Sequence, residues 1–520
     1  MKVLLISPPV TYHKEDLSMP SKSPLLGLTY IAAAIREAGH EVKILDCFTS
    51  SIKYFHIGSN FIRYSLSEDE ILVQIKQVSP DVVGVSSMYT SSCQDAHNVA
   101  RIVKEFNPAI LVIFGGNHAT ILTERVLKDE NVDLVVMGEG EITIREVLER
   151  FQKNTDFIGV SGIVHRLNGE LVWEEPRKPA NMDDLPRPAR DLIKEGLKIM
   201  NYELRDNKYI MRKPVAHIQT SRGCPNNCYF CSFTHAFGRK WRARSAKNVV
   251  DEIDHLVKDC GYREIHFVDD NSSVSSNRMR SICDEILRRQ LDIKIATPSG
   301  IAVNTLDKEL LKKMKEAGFY RLCFGIETGD PESQKRIGKK VDLQHAKDII
   351  REANKLGFWT AGTFIIGHPH ENIDGIRATI NYAKESNLDF AVFAILVPQL
   401  GTRAYEIVKM QGLIDYDPSF CDPNSEDFYK ISIAYFKGSH TSYCSNEELH
   451  KIRSLAYKEF IIQKFCNSRT YINLCAKIKN LEDLVYVLGL GTIPVKMLFD
   501  IFRGKEGHYL PSRKVKNLMR

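Results

Sequence analysis

The stretch TSRGCPNNCYFCSF, residues 220–233, puts three of the chain's twelve cysteines into eight positions and surrounds them with glycine, asparagine and aromatics. Cys224, Cys228 and Cys231 form a CxxxCxxC. Random placement gives that spacing with an expectation of only about 0.006. Twelve cysteines in 520 residues are far below the density of a disulfide scaffold, so the cluster binds something. Structural zinc favours paired CxxC units with four ligands, and Cys421, Cys444, Cys466 and Cys475 supply no second pair. Three thiolates on one short loop suit an iron-sulfur cube with one iron left open; zinc is the alternative.

Outward from this loop the chain alternates strands and helices. VAHIQTS (215–221) leads into it, and strand-like runs follow at EIHFVDD (264–270), KIATPSGIAV (294–303), RLCFGIET (321–328), WTAGTFIIG (359–367) and DFAVFAILVP (389–398). Helical patterns fill the gaps, as in SAKNVVDEIDHLVKDCG (245–261). Six βα units are too few for a closed eight-unit barrel, so a partial, TIM-like (β/α)6 barrel is expected, with its functional face at the carboxyl ends of the strands. Upstream, KVLLIS (2–7), EVKIL (41–45), DVVGVSS (81–87), AILVIFGG (109–116) and DLVVMGEG (133–140) predict a second parallel sheet. Such continuous apolar runs separated by helices belong to a doubly wound α/β, Rossmann-like or flavodoxin-like domain. The expected divisions are a Rossmann-like domain over 1–155, a charged linker with four prolines over 156–209, the barrel over 210–430 and a mostly helical region over 431–520.

A net charge of +6 from 71 basic and 65 acidic residues is too balanced to argue for nucleic acid. The amino terminus reads as a first strand rather than a signal peptide. No window of about 18 apolar residues lacks charges or breakers. VYVLGLGTIPVKMLFDIF (485–502) reads as a packed carboxyl-terminal segment, with peripheral membrane contact as the alternative. The cytoplasm is the expected compartment.

The cysteine loop resembles the signature of the radical S-adenosylmethionine (radical SAM) superfamily, and a partial barrel is the fold that resemblance implies. It implies a 4Fe-4S cluster on Cys224, Cys228 and Cys231, with S-adenosylmethionine (SAM) chelated at the open iron and cleaved to a 5′-deoxyadenosyl radical. An external electron donor such as flavodoxin or ferredoxin is implied as well. Phe230 matches the aromatic whose backbone faces the adenine. FGIETG (324–329) resembles the fourth-strand motif, which implies that its glutamate, here Glu327, binds the nucleoside or methionine portion, with a structural salt bridge as the alternative. FIIGHP (364–369) resembles the fifth-strand segment beside the adenine, which implies backbone contacts from Ile366 and Gly367. FVDDNSS (267–273) resembles an Asp-Asp-Asn form of the second-strand motif, giving Asp269 and Asp270 a site role, with helix capping as the alternative. Arg244 reads as a solvated arginine at a helix start.

The first domain is similar to the cobalamin-binding domain of one radical SAM subgroup. The likeness is carried by SPP after the first strand, PLLGLTYIAAAIREAGHEVKILD (24–46), GGNHAT (115–120) and GEGEITIREVLE (138–149). It implies cofactor contacts from Ser7, Pro8, Ser86, Gly115, Gly116, Asn117, His118, Gly138, Glu139 and Gly140. Where many cobalamin proteins carry Asp-x-His-x-x-Gly, this chain has SPPVTY, so cobalamin is expected without a protein histidine on cobalt. His97, in DAHNVA, reads as a helix-surface residue. The resemblance implies modification of an unactivated carbon in a small molecule, foremost by methyl transfer. The alternatives are cyclisation, ring rearrangement or carbon-carbon coupling without methyl transfer and, outside enzymes, a cobalamin or redox sensor. The basic carboxyl terminus and the apolar stretch before it suggest a lipid or isoprenoid substrate.

Overall fold

The computed structural model describes residues 1–13, 25–48, 53–57, 61–193, 209–414 and 438–490. The chain divides into two units, one of Met1–Arg205, Ser232–Gly238 and Tyr416–Phe436, the other of Asp206–Cys231, Arg239–Asp415 and Lys437–Arg520.

The first unit contains β1 (Lys2–Ser7), β2 (Val10–His13), β3 (Glu41–Asp46), β4 (Tyr54–Ile57), β5 (Phe61–Tyr64), β6 (Val82–Ser86), β7 (Leu111–Gly115), β8 (Leu134–Val136), β9 (Ile163–Leu167) and β10 (Glu170–Trp173). Seven of them form one sheet in the order β10-β9-β8-β7-β6-β1-β3, parallel from β8 to β3. Alternation along the strands feeds two cores. Leu4, Ile6, Val83, Val85 and Phe114 pack on one face, and Val3, Leu5, Val82 and Ile113 on the other. Burial on both faces is why these strands read as unbroken apolar runs. Chain order reverses between β1 and β6, which opens a crevice at their carboxyl ends.

Three features differ from expectation. The stretch read as a linker contains the hairpin β9–β10, which adds two antiparallel strands to the sheet edge. Its turn is Asn168-Gly169, with φ of 53° and 86°, and two positive-φ residues fit the tight connection of two twisted strands. A separate antiparallel sheet, β2-β5-β4, was not expected; Arg63 of β5 fastens it by pairing with the buried Asp95 at 3.0 Å. His97 is not on the surface: it is 5% exposed, with Nδ1 2.6 Å from Asp129 Oδ2. Its helix, Cys93–Phe106, buries positions 93, 96, 97, 100 and 103, and position 97 falls within that stripe.

The second unit contains β11 (Val215–Ile218), β12 (Ser221–Arg222), β13 (Arg242–Ala243), β14 (Glu264–Phe267), β15 (Lys294–Ile301), β16 (Phe319–Glu327), β17 (Trp359–Ile366) and β18 (Phe390–Ile395). β11-β14-β15-β16-β17-β18 form an all-parallel sheet of six strands, and β12 pairs with β13 beside the cysteine loop. Each intervening helix starts where a side chain can accept an orphan amide: Ser245, Ser275, Asp307, Asp342 and Asn372 are N-caps. Ile218, Ile265, Phe267, Leu322, Phe324, Phe364 and Ile366 pack beneath those helices, and Leu449, Ala456 and Phe460 of helix Asn446–Cys466 join the same core.

Arg244 is buried rather than solvated. Its Nε donates to Asn248 Oδ1 at 2.6 Å, one terminal nitrogen donates to the Gln219 carbonyl at 3.1 Å, and it pairs with the buried Glu252. This ion pair and its neighbouring acceptors hold the exit of β11. Of the stretch 485–502, Tyr486 and Leu490 are buried against Tyr320 and Trp359. Residues 491–520, on which most of the lipid reading rests, lie outside the described residues. No described helix is long and apolar enough to cross a membrane.

Candidate functional site

The cysteine loop leaves β11 and is fastened by three consecutive residues after β14. Asp269 is buried, and its Oδ1 accepts the Thr220 amide at 2.8 Å, the Thr220 hydroxyl at 2.9 Å, the Ser221 hydroxyl at 2.7 Å and the Ser221 amide. Asp270 Oδ2 accepts the Gly223 amide at 3.3 Å, and Asn271 Nδ2 reaches Cys224 Sγ at 3.9 Å. The Asp-Asp-Asn stretch thus follows the loop position by position up to its first cysteine. Asp269 caps no helix: its Oδ1 braces the loop, its Oδ2 is buried with no hydrogen-bond partner, and burial raises its carboxyl. Asp269→Ala leaves three buried donors without an acceptor, the Ser221 hydroxyl keeping the Asn271 carbonyl at 3.3 Å, and is expected to lower stability by about 3 kcal/mol or more, read as the shift of the denaturation midpoint.

Further along, the Tyr229 amide donates to Ile337 O at 3.1 Å, and the Ala404 amide donates to Tyr229 O at 2.9 Å. Gly338 lies under Asn227 with φ of 77°. A Cβ there would stand 2.3 Å from the Asn227 carbonyl oxygen. Phe230 is half-buried, edge-on to Tyr229 with ring centres 5.9 Å apart. Cys224, Cys228 and Cys231 are half-buried, and the Cys231 amide donates to Cys228 O at 3.2 Å. Burial pushes the Cys228 thiol up to about 12; the ammonium of Lys339 opposes the rise, and Cys231, Glu327 and Cys224 add to it. The unloaded thiol therefore keeps its proton, and iron has to displace it.

Among the described residues no three His, Cys, Asp or Glu side chains close on a single metal-ion position. An iron-sulfur cube takes one thiolate at each of three irons and leaves the fourth open. Three soft thiols on one fastened loop fit the cube.

Glu327 ends β16 at φ 68°, a left-handed conformation that a glutamate rarely adopts. Its Oε1 is 2.5 Å from Lys339 Nζ. Gly325 makes room for this pair, because a Cβ there would fall 2.4 Å from Lys339 Nζ. Lys339 was missing from the sequence reading; a lysine in GKK at a helix end carries no local signal of burial.

In the fifth-strand segment the Gly367 amide donates to Glu371 Oε2 at 2.8 Å, and the Ile366 carbonyl accepts the Leu396 amide at 2.9 Å. The Ile366 side chain lies in the core under the helices. His368, fully buried, places Nδ1 2.7 Å from the Tyr229 hydroxyl and so fastens the cysteine loop from a second side.

Burial pushes the Glu371 carboxyl up to about 8 from its ordinary value of 4.5. Across that window the folded chain holds a proton that the unfolded chain has released, so stability falls as pH rises from about 4.5 to about 8. Glu371→Gln is expected to flatten that part of the slope, read from denaturation midpoints at several pH values.

At the carboxyl edge of the first sheet the predicted residues gather in one place. Ser7 and Ser86 end β1 and β6, Pro8 is buried, and Gly115, Gly116 and Asn117 follow β7. Gly116 has φ of 109°, and a Cβ on it would stand 2.7 Å from the Ser87 carbonyl oxygen, which accepts the His118 and Ala119 amides. The Gly138 amide donates to Thr120 Oγ1 at 3.0 Å, and Glu139 is half-buried beside it. Gly140 serves packing, since a Cβ there would meet Ile31 at 2.9 Å. Asn117 Oδ1 is buried with no hydrogen-bond partner, and Met88 and Tyr89 stand exposed at the same edge. A side-chain-free cradle with an orphaned acceptor fits a large amide-bearing cofactor such as cobalamin. His118 points to Thr90 Oγ1 at 3.0 Å, and burial holds its imidazole neutral, at about 3.

Residues 218–383 match the Radical SAM superfamily and residues 17–148 the B12 binding domain. The chain is 34% identical to an uncharacterized methyltransferase of Pyrococcus horikoshii, over 80% of this chain and 84% of that one. It is 32% identical to the cytidylyl-2-hydroxyethylphosphonate methyltransferase of Streptomyces wedmorensis, over 80% and 83%. An anaerobic magnesium-protoporphyrin IX monomethyl ester cyclase of Rubrivivax gelatinosus is 28% identical over 76% and 68%. Among solved structures, the cobalamin-dependent SAM radical enzyme OxsB, with aqua-cobalamin and SAM bound, aligns with a TM-score of 0.68. The alignment covers 96% of this chain and 72% of that one at 17% identity, which is a likeness of fold. The chain belongs to the cobalamin-binding radical SAM enzymes. Its cofactors are a 4Fe-4S cluster, SAM and cobalamin.

Proposed function

We propose that this chain is a cobalamin-dependent radical SAM methyltransferase acting on an unactivated carbon of a small molecule in the cytoplasm, with flavodoxin or ferredoxin as electron donor. The observation that carries the site is the cysteine loop held at successive positions by Asp269, Asp270 and Asn271. When bound, the cluster with SAM supplies hydrogen abstraction from carbon, and cobalamin supplies the methyl group. Cys224, Cys228 and Cys231 are the thiolate ligands. Lys339 offsets the negative charge that gathers on them, and its pair with Glu327 presents a charged couple toward the amino-acid or nucleoside part of SAM. In the first unit Gly116 and Gly138 keep the crevice open, and Asn117 Oδ1 takes an amide hydrogen of cobalamin. His118, neutral and turned to Thr90, stays off the cobalt.

Methyl transfer is supported by the relatives at 34% and 32% identity, and the cyclase relative supports a second outcome. Reconstituted enzyme given SAM labelled in the methyl group and host metabolite extract separates them. Label in a product gained as one CH2 unit supports the methyltransferase. 5′-Deoxyadenosine without label in any product gives cyclisation or another rearrangement, and absence of 5′-deoxyadenosine leaves only a sensor.

A further inference from the structure

One transverse row across the six-stranded sheet runs His217, His266, Ala296, Arg321, Trp359, each in register with the next. Its neighbours in sequence, Ile218, Ile265, Ile295 and Leu322, pack beneath the helices, so the row lies on the inner face. Toward the carboxyl ends the inner positions are small: Cys323 and Gly325 on β16, Ala361 and Thr363 on β17, Ala394 on β18. At the level of the row the side chains are large, with Tyr320, Trp359 and Tyr486 packed around Ala296. Solvent reaches the inner face, where Val392 is 48% exposed and Cys323 and Thr363 are half-buried. A closed eight-stranded barrel fills its interior with branched side chains. Here several inner positions above the aromatic floor carry small side chains that solvent reaches.

Arg321 stands at that floor. It is 9% exposed and has no hydrogen bond or ion pair among the described residues. Its guanidinium carbon lies 5.9 Å from the ring centres of Tyr209 and Tyr320. Glu264, whose charge it feels, is engaged elsewhere. Its Oε2 accepts the Met211 and Arg212 amides at 2.9 and 2.8 Å, and its Oε1 takes the Tyr320 hydroxyl at 2.7 Å and lies 2.6 Å from His266 Nε2. No Arg321 nitrogen is among the fully enclosed partnerless atoms, so its N–H donors, which no described protein group takes, are open to an acceptor from outside.

We propose that Arg321 is the subsite for an oxyanion, a phosphate, phosphonate or carboxylate at one end of an elongated substrate. The proposal rests on the reading above, in which the reacting carbon lies near the cysteine loop at the carboxyl ends of the strands. The backbone rise from Arg321 to Glu327 is roughly 20 Å; Cys323 is the next inner residue above Arg321, and the Glu327–Lys339 pair fills the space over Gly325. An Arg fork grips such an anion in two places, which fixes the far end of the molecule and with it the position of the reacting carbon.

The test titrates the full, anaerobically reconstituted chain with inorganic phosphate and, separately, acetate, by calorimetry. Binding of either to the wild type is expected, and the tighter of the two tells a phosphoryl from a carboxylate end. Arg321→Gln is expected to weaken binding by about tenfold or more, and Arg321→Lys, which keeps the charge but not the fork, by less. Cys323→Asp keeps Arg321 and sets a carboxylate on the next inner position of β16, and is expected to weaken binding by a similar factor; it serves if Arg321→Gln fails to fold. Retained affinity in Arg321→Gln or Cys323→Asp overturns the assignment, as does failure of both anions to bind the wild type. Reductive SAM cleavage by the same wild-type preparation is read in parallel. Cleavage without anion binding sinks the subsite alone, whereas absence of cleavage sinks the functional reading whatever the anions do.

Discussion

Replacing Cys228 with alanine is expected to abolish cluster loading and reduce 5′-deoxyadenosine formation to background. Cys228 is the middle one of the three proposed ligands, and its backbone carbonyl accepts the Cys231 amide, a bond that alanine keeps. The variant therefore removes one sulfur while leaving the loop's backbone path in place. Outer partners of metal ligands are already worth about 10–100-fold in affinity or activity, so loss of a ligand should exceed that range. Iron and labile sulfide content, the visible absorbance of the anaerobic protein and the yield of 5′-deoxyadenosine are the measurements, with circular dichroism as the control for folding. Cluster content equal to that of the wild type would remove the three-cysteine assignment.

Gly338→Ala should have an effect of comparable size without touching a ligand. At φ 77° an alanine is strained by about 1–2 kcal/mol from its backbone alone. Its Cβ would also meet the Asn227 carbonyl at 2.3 Å, a backbone atom between Cys224 and Cys228 that has no side-chain freedom with which to yield. Either the loop lifts or helix Pro331–Ile337 shifts, and that helix ends at the residue whose carbonyl holds Tyr229. Iron content is expected to fall by about tenfold or more, while far-UV circular dichroism stays close to that of the wild type.

What could be read ahead of the structure follows from the range of the interactions involved. The parallel strands were legible because double-sided burial writes itself locally, as in Val3 to Ile6. The cysteine triplet proposed as the cluster ligands stood out because all three lie on one loop. Asp269 was seen as a site residue or a cap, but its partners Thr220 and Ser221 lie 49 and 48 positions away, and no local pattern reports a bond of that span. The Glu327–Lys339 pair crosses a helix in the same manner. By contrast, Asn168-Gly169 between two alternating runs was a readable hairpin signal that the surrounding prolines obscured, and the burial of His97 was implicit in the stripe of its helix.

A buried carboxyl and its neighbour grip the approach to the first cysteine through protein hydrogen bonds alone. The amides of Thr220, Ser221 and Gly223 are therefore expected to resist hydrogen exchange in the iron-free chain as they do in the loaded one, since their acceptors belong to the polypeptide.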